Sequence, residues 1–170
     1  MPPIADPQFR QNVDDDYMRE IVSKINRPPV CTVKRTGTLA ITQSVDTVIT
    51  WQAEEGNDFD GMWDAAAPTV LTVQTEGLYV VRGQIRTNSV TADEWYLDIL
   101  KNGATNAASV ASAIWYGGTP AGACQITTYP IMCAISDTFR LMCRTNVASK
   151  SLQTSRGGTW LSAQWVGFGS

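Results

Sequence analysis

From residue 31 to residue 167 apolar and polar side chains alternate at a period of two, and turn residues interrupt the alternation at short intervals. A period of two puts successive side chains on opposite faces of an extended chain, so each run predicts a strand with one buried face. The runs fall at 31–35, 39–42, 46–52, 69–73, 78–87, 94–101, 105–115, 123–135, 138–145, 151–154 and 159–167. Within 94–101, Trp95, Leu97 and Ile99 share one face while Tyr96, Asp98 and Leu100 share the other. Between the runs stand Glu76-Gly77, Asn102-Gly103, Gly117-Gly118-Thr119-Pro120, Ser136-Asp137 and Arg156-Gly157-Gly158, all of turn-forming composition. Asn102-Gly103 predicts a two-residue hairpin turn with positive φ at both positions. Gly77 predicts a sharp turn into a long strand that points Tyr79 and Val81 inward and Arg82 and Gln84 away. Many short strands with no helix between them predict an all-β antiparallel sandwich or barrel.

The first 30 residues follow another pattern. Residues 1–11 hold Pro2, Pro3 and Pro7 without apolar periodicity, which predicts an extended arm. From Asp14 a period near four takes over: Tyr17, Ile21 and Ile25, with Met18 and Val22 beside them, form one apolar stripe on a short helix. Asp14, Asp15 and Asp16 would complement the dipole at the head of that helix, and Glu20 would pair with Lys24 one turn on. Asn26 and then Pro28-Pro29 end it. About three turns of helix are marginal alone in water, so the stripe needs a partner. Its own domain, a cluster of three such helices about a symmetry axis, or a different protein would each serve. The expected division is therefore 1–30, an attachment arm with a short amphipathic helix, and 31–170, one β domain.

Composition narrows the function. A chain of 170 residues is enough for one domain with a core of its own, without metal or disulfide staples. The net charge of −3 provides no basic stripe for nucleic acid. The chain has no His, which removes the usual base near neutral pH, the commonest metal ligand and every Ser-His-Asp or Cys-His set. No enzyme activity, cofactor or metal is expected. No apolar run is long enough to span a bilayer and MPPIADPQFR lacks the signal-peptide pattern, so folding in a cytoplasm without membrane insertion is expected. Cys31, Cys124, Cys133 and Cys143 show no CxxC spacing. Cys133 alternates with Ile131 and Ile135, and Cys143 with Leu141 and Phe139, which favours buried free thiols over a disulfide.

Two segments hold candidate chemistry. Asp58, Asp60 and Asp64, with Glu54 and Glu55, allow a calcium site, a carboxylate pair for glycoside hydrolysis, or a solvated loop whose acids cap turns. The last is preferred, with Phe59, Met62 and Trp63 plugging the end of the barrel, because neither a full calcium-loop spacing nor a buried acid is evident. Residues 87–93 and 114–122 are candidate ligand loops, in which Trp115 and Tyr116 would offer aromatic platforms to a sugar or a protein if exposed.

The segment FDGMWDAAAPTVLTVQTEGLYVVRGQI resembles the opening of the jelly roll shared by complement first-component q-type heads and tumour-necrosis-factor-like ligands. The likeness rests on Phe59, Asp60, Trp63, Leu71, Val73, Gly77, Tyr79 and Val81. Leu100-Lys101-Asn102-Gly103 is similar to a hairpin of that family, Ile135-Ser136-Asp137-Thr138-Phe139-Arg140-Leu141 to a second, and Thr159-Trp160-Leu161-Ser162-Ala163 to its closing strand. Ser136 stands where the family pattern has Gly. This resemblance implies a jelly-roll sandwich and a homotrimer. A Pro-rich arm and short helix, in place of a collagen-like stalk, resemble the small tail-associated or head-decorating proteins of tailed bacteriophages. That second resemblance implies a structural protein of the virion, assembled in the host cytoplasm. Tyr17, Met18, Ile21, Val22 and Ile25 would fasten it to other virion proteins of the capsid or tail. The alternative is a receptor-binding module that recognises host surface carbohydrate or protein through its distal loops.

Overall fold

The computed structural model describes residues 7–56, 58–87, 93–116, 122–154 and 157–169, and for residues 7–14 and Glu20 the backbone alone. One helix, α1 (Pro7–Asn26), precedes the strands. These are β1 (Val30–Lys34), β2 (Leu39–Ile41), β3 (Thr47–Val48), β4 (Ala53–Glu54), β5 (Leu71–Thr72), β6 (Gly77–Arg86) and β7 (Glu94–Lys101). After a 3-10 turn at Asn106–Ala108 come β8 (Ser109–Tyr116), β9 (Ala123–Thr127), β10 (Ile131–Cys133), β11 (Thr138–Thr145), β12 (Lys150–Leu152) and β13 (Trp160–Gly167).

The strands form two facing antiparallel sheets, the jelly roll that the strand pattern and the resemblance led us to expect. In the first sheet β4, β1, β13 and β6 lie side by side, and β10 and β9 follow one another along the far edge of β6. In the second, β8, β7 and β11 lie side by side, with β5 and β3 at opposite ends of the outer edge of β11. β2 and β12 pair as a separate two-stranded antiparallel ribbon. Alternation decides what is buried. Leu71, Tyr79, Val81, Trp95, Leu97, Ile99, Phe139, Leu141 and Leu161 are fully enclosed between the sheets, each contributing on the order of 1.5–3 kcal/mol. Gly77 opens β6 at φ 142°, where a side chain would run into the Trp165 indole. Arg82 faces solvent as expected, whereas Gln84 faces away from the core but is covered, with its amide donating to the Gly158 carbonyl at 2.7 Å.

Several sequence expectations are corrected. The helix begins at Pro7, not at Asp14, so residues 7–11 are helical rather than extended. Proline suits the first helical position because the missing N–H has no partner there in any case. Asp14, Asp15 and Asp16 therefore lie two turns in, and the first turn carries no acid to meet the dipole. The run 46–52 is not one strand. Ile49 donates to the Leu141 carbonyl in the second sheet and Gln52 to the Lys34 carbonyl in the first, so the chain crosses between sheets here. The run 123–135 breaks at Pro130, which has no N–H for a ladder. Beside the break, the Thr128 hydroxyl accepts the Val81 N–H at 3.0 Å in place of a carbonyl. Asn102-Gly103 is not a two-residue hairpin either: of the two only Asn102 has positive φ, and the connection runs on to Ser109. The Asn102 side chain instead clasps the β10–β11 turn, donating to Asp137 at 2.6 Å and accepting the Thr138 N–H at 2.7 Å.

Candidate functional site

The side chains expected to attach the arm lie together on the last three turns of α1. Tyr17, Met18, Val22 and Ile25 are exposed, and Ile21 is half-buried. Among the described residues, the last turns of the helix lie against the barrel. The Lys24 ammonium sits 6.0 Å from the Phe168 ring centre, and the Arg27 guanidinium 5.7 Å from that of Phe59. The Trp165 N–H donates to the Pro29 carbonyl at 2.8 Å and anchors the start of β1. Between helix and sheet lies an apolar cavity of about 460 Å3 whose walls include Ile21, Ile25, Pro28, Val166 and Phe168. The stripe is thus continuous with an apolar corner of the first sheet, while Tyr17, Met18 and Val22 remain exposed.

In the acidic loop the carboxylates are occupied by turns. Glu54 accepts the Asp58 N–H at 2.8 Å, Asp58 the Trp63 N–H at 2.9 Å, Asp60 the Thr75 hydroxyl at 2.8 Å and Asp64 the Ala66 N–H at 2.8 Å. Among the described residues no three carboxylates or thiols converge where a metal ion would sit. Met62 is buried and Trp63 packs against the core, but Phe59 is turned out beneath Arg27, so it does not plug the barrel.

All four cysteines are free and buried. Burial raises the Cys133 thiol to about 11 and the Cys143 thiol to about 12. Burial, and secondarily the Asp58 carboxylate, holds Cys31 still further above the ordinary range. Protonated, enclosed thiols are poor nucleophiles. Ile135, grouped with Cys133 by alternation, is exposed, because the strand has already given way to a turn.

Trp115 and Tyr116 end β8 and point opposite ways. Trp115 packs against the core with Gly122 close on its ring, so it offers no open platform, whereas Tyr116 is 69% exposed. The rest of the expected ligand loops, 88–92 and 117–121, lies outside the described residues. Sequence reading missed Tyr129, which at 91% is the most exposed large apolar residue among the described residues. Pro130 was the available clue, since a break in the strand frees the preceding side chain from the alternation. Also missed was a groove of about 280 Å3 on the outer face of the second sheet, between Tyr96, Asp98, Ser112, Ile114 and Arg144.

Neither a protein-family model nor a curated protein matches the sequence. Solved structures do. The chain superposes on murine APRIL with a TM-score of 0.57 at 17% identity, over 81% of this chain and 98% of that one. It superposes on the globular domain of zebrafish complement 1qA with a TM-score of 0.59 at 10% identity, over 83% and 99%. For Eiger TNF from S. frugiperda the TM-score is 0.51 at 12% identity, over 84% and 94%. The fold is therefore the jelly roll of the tumour-necrosis-factor and complement q-type heads.

Proposed function

We propose that this protein is a non-enzymatic structural component of a bacteriophage virion, a capsid-decoration or minor tail protein that is assembled in the host cytoplasm. In this reading the jelly roll trimerises, and the N-terminal arm of residues 1–30 fastens it to other virion proteins. The fold is shared with animal proteins and is no guide to this role, so the reading rests on the arm. The observation that carries it is the apolar stripe of α1, on which Tyr17, Met18, Val22 and Ile25 are exposed. Burying such side chains in a partner's groove yields on the order of 1.5–3 kcal/mol each before ordering costs. Three arms on one trimer would convert modest single-arm affinity into tight attachment where all can engage together. The four enclosed free thiols support assembly in a reducing compartment.

The test is deletion of residues 1–29 in the phage. The truncated protein is expected to fold and trimerise yet be missing from purified particles. Incorporation at normal copy number would defeat the reading. A receptor-binding role is the second reading, favoured by the exposure of Tyr116 and Tyr129. It predicts that the purified protein competes with phage for adsorption to host cells.

A further inference from the structure

The groove on the outer face of the second sheet is built from strands, and its polar walls are held in place before any ligand arrives. Across three neighbouring strands Arg144, Tyr96 and Ile114 form one row, and Asp98 and Ser112 lie side by side in the next. Adjacent strands are about 4.8 Å apart, so Arg144 and Ile114, two strands apart, stand about 9.6 Å from one another at the backbone, which leaves room between them for one ring with its hydroxyls. The volume of about 280 Å3 falls just below the roughly 300–1,000 Å3 of sites that take drug-sized ligands.

Each group has a settled position. The Arg144 guanidinium lies over the Tyr96 ring at 4.4 Å from its centre, and its Nε is 3.9 Å from Asp46. Asp98 accepts the Ser109 hydroxyl at 3.0 Å and the Ser112 hydroxyl as well, both on Oδ1. Its Oδ2 has no hydrogen bond among the described residues and remains available to a ligand donor. Ile114, 54% exposed, adds an apolar wall beside Ala113 and the Tyr96 ring.

We infer that this groove binds one neutral pyranose unit. A sugar ring offers what the walls require: hydroxyls that donate to Asp98 and accept from Arg144, and a C–H face to lie against Ile114. Two carboxylates, Asp46 and Asp98, against the single Arg144 make the groove net negative, which turns away sialic acids, uronic acids and phosphates. Donors and acceptors carried by strands lose little freedom on binding, which favours recognition by so small a contact. The site is separate from the attachment arm; it shares Ile114 with the 114–122 segment of the receptor-binding reading, but its polar walls come from the body of β7, β8 and β11 and its test depends on neither role.

Ligand-observed saturation-transfer NMR on the full chain tests it, with the methyl glycosides of glucose, galactose and mannose, N-acetylglucosamine, and N-acetylneuraminic acid as the acidic comparator. At least one neutral sugar should receive saturation on its ring protons, with Kd on the order of 1 mM. Asp98→Asn and Ile114→Ser should each weaken that binding about tenfold while melting with the wild type. Both substitutions lie on the solvent face of the sheet, and a variant whose melting falls is replaced by Tyr96→Ala. Overturning results are silence from all four neutral sugars, undiminished binding in either variant, or equal binding of N-acetylneuraminic acid.

Discussion

Ser136 holds φ at 73°, in the left-handed region, within the turn between β10 and β11 where the resembling family has Gly. A side chain there costs about 1–2 kcal/mol, and glycine would return part of that gain as extra freedom of the unfolded chain, roughly 0.5–1 kcal/mol. Ser136→Gly should therefore stabilise the protein by up to about 1 kcal/mol, seen as a higher urea midpoint at unchanged slope. The next residue, Asp137, ties that turn together. It accepts the Lys101 ammonium at 2.8 Å, the Asn102 amide at 2.6 Å and the Ala134 N–H at 3.0 Å. Burial works against its charge, but these partners outweigh burial and hold the carboxyl below its ordinary range. A depressed folded-state value means that the stabilisation is fully present above the unfolded pKa of about 3.9 and is lost as pH falls through the folded one. Wild-type stability should thus fall below about pH 4 more steeply than that of Asp137→Asn, measured by urea unfolding across that range. Neither residue's role was readable in full. The sequence marks Ser136-Asp137 as a turn, but the clasp from Asn102 spans 35 positions and no local pattern encodes it.

At the scale of elements, alternation located the long strands well, because β6, β7, β11 and β13 bury one face throughout and a one-residue slip would expose it. It failed where the backbone changes partner without changing the side-chain rhythm. Ile49 and Trp51 are both buried although the chain passes from one sheet to the other between them. The helix is the converse case. Its apolar spacing was read only from Tyr17 onward, although Phe9 and Val13 continue the same interval of four back into the first turns, where the nearby prolines had suggested an extended chain. The stripe also left its partner open, because amphipathic spacing demands an apolar surface and does not name one. Exposed positions contribute little to the stability of their own chain. Replacing Tyr17, Met18, Val22 and Ile25 together by Gln, which keeps helix propensity close to that of the originals, should change unfolding free energy by no more than about 0.5 kcal/mol per site. Under the proposed attachment role, the same variant should be absent from purified particles by quantitative mass spectrometry. Ile21→Gln should lower stability further than any of the four, since Ile21 is half-buried against the barrel.

For the whole molecule, an exposed apolar patch on the outer face of the first sheet lies beside the arm. Met132 of β10 pairs with Leu78 of β6, and Val166 follows at the bulge of β13, with Phe168 just beyond. Met132, Val166 and Phe168 are about half exposed, and Phe168 meets Trp165 edge to face at 4.9 Å between ring centres. Contiguous apolar side chains on a sheet face, rimmed by polar ones, mark a contact surface in soluble proteins. The helix joins the barrel at this same corner, through Ile25, Pro28, Val166 and Phe168. An assembly closed through this face would therefore gather its arms on one side, as simultaneous attachment requires. Because the patch lies on one sheet and repeats in every copy, cyclic closure is the economical way to cover it without leaving an open end. Light scattering coupled to gel filtration should return three times the chain mass at micromolar concentration. Met132→Glu and Val166→Glu would each bury an unpaired carboxylate at such a contact, a cost of several kcal/mol, while in the isolated chain both positions already face water. Each should release a monomer with an unchanged strand-dominated circular dichroism spectrum. Retention of the threefold mass by both would place the contact on another face, and a monomeric wild type would remove the shared geometry on which multi-arm attachment depends.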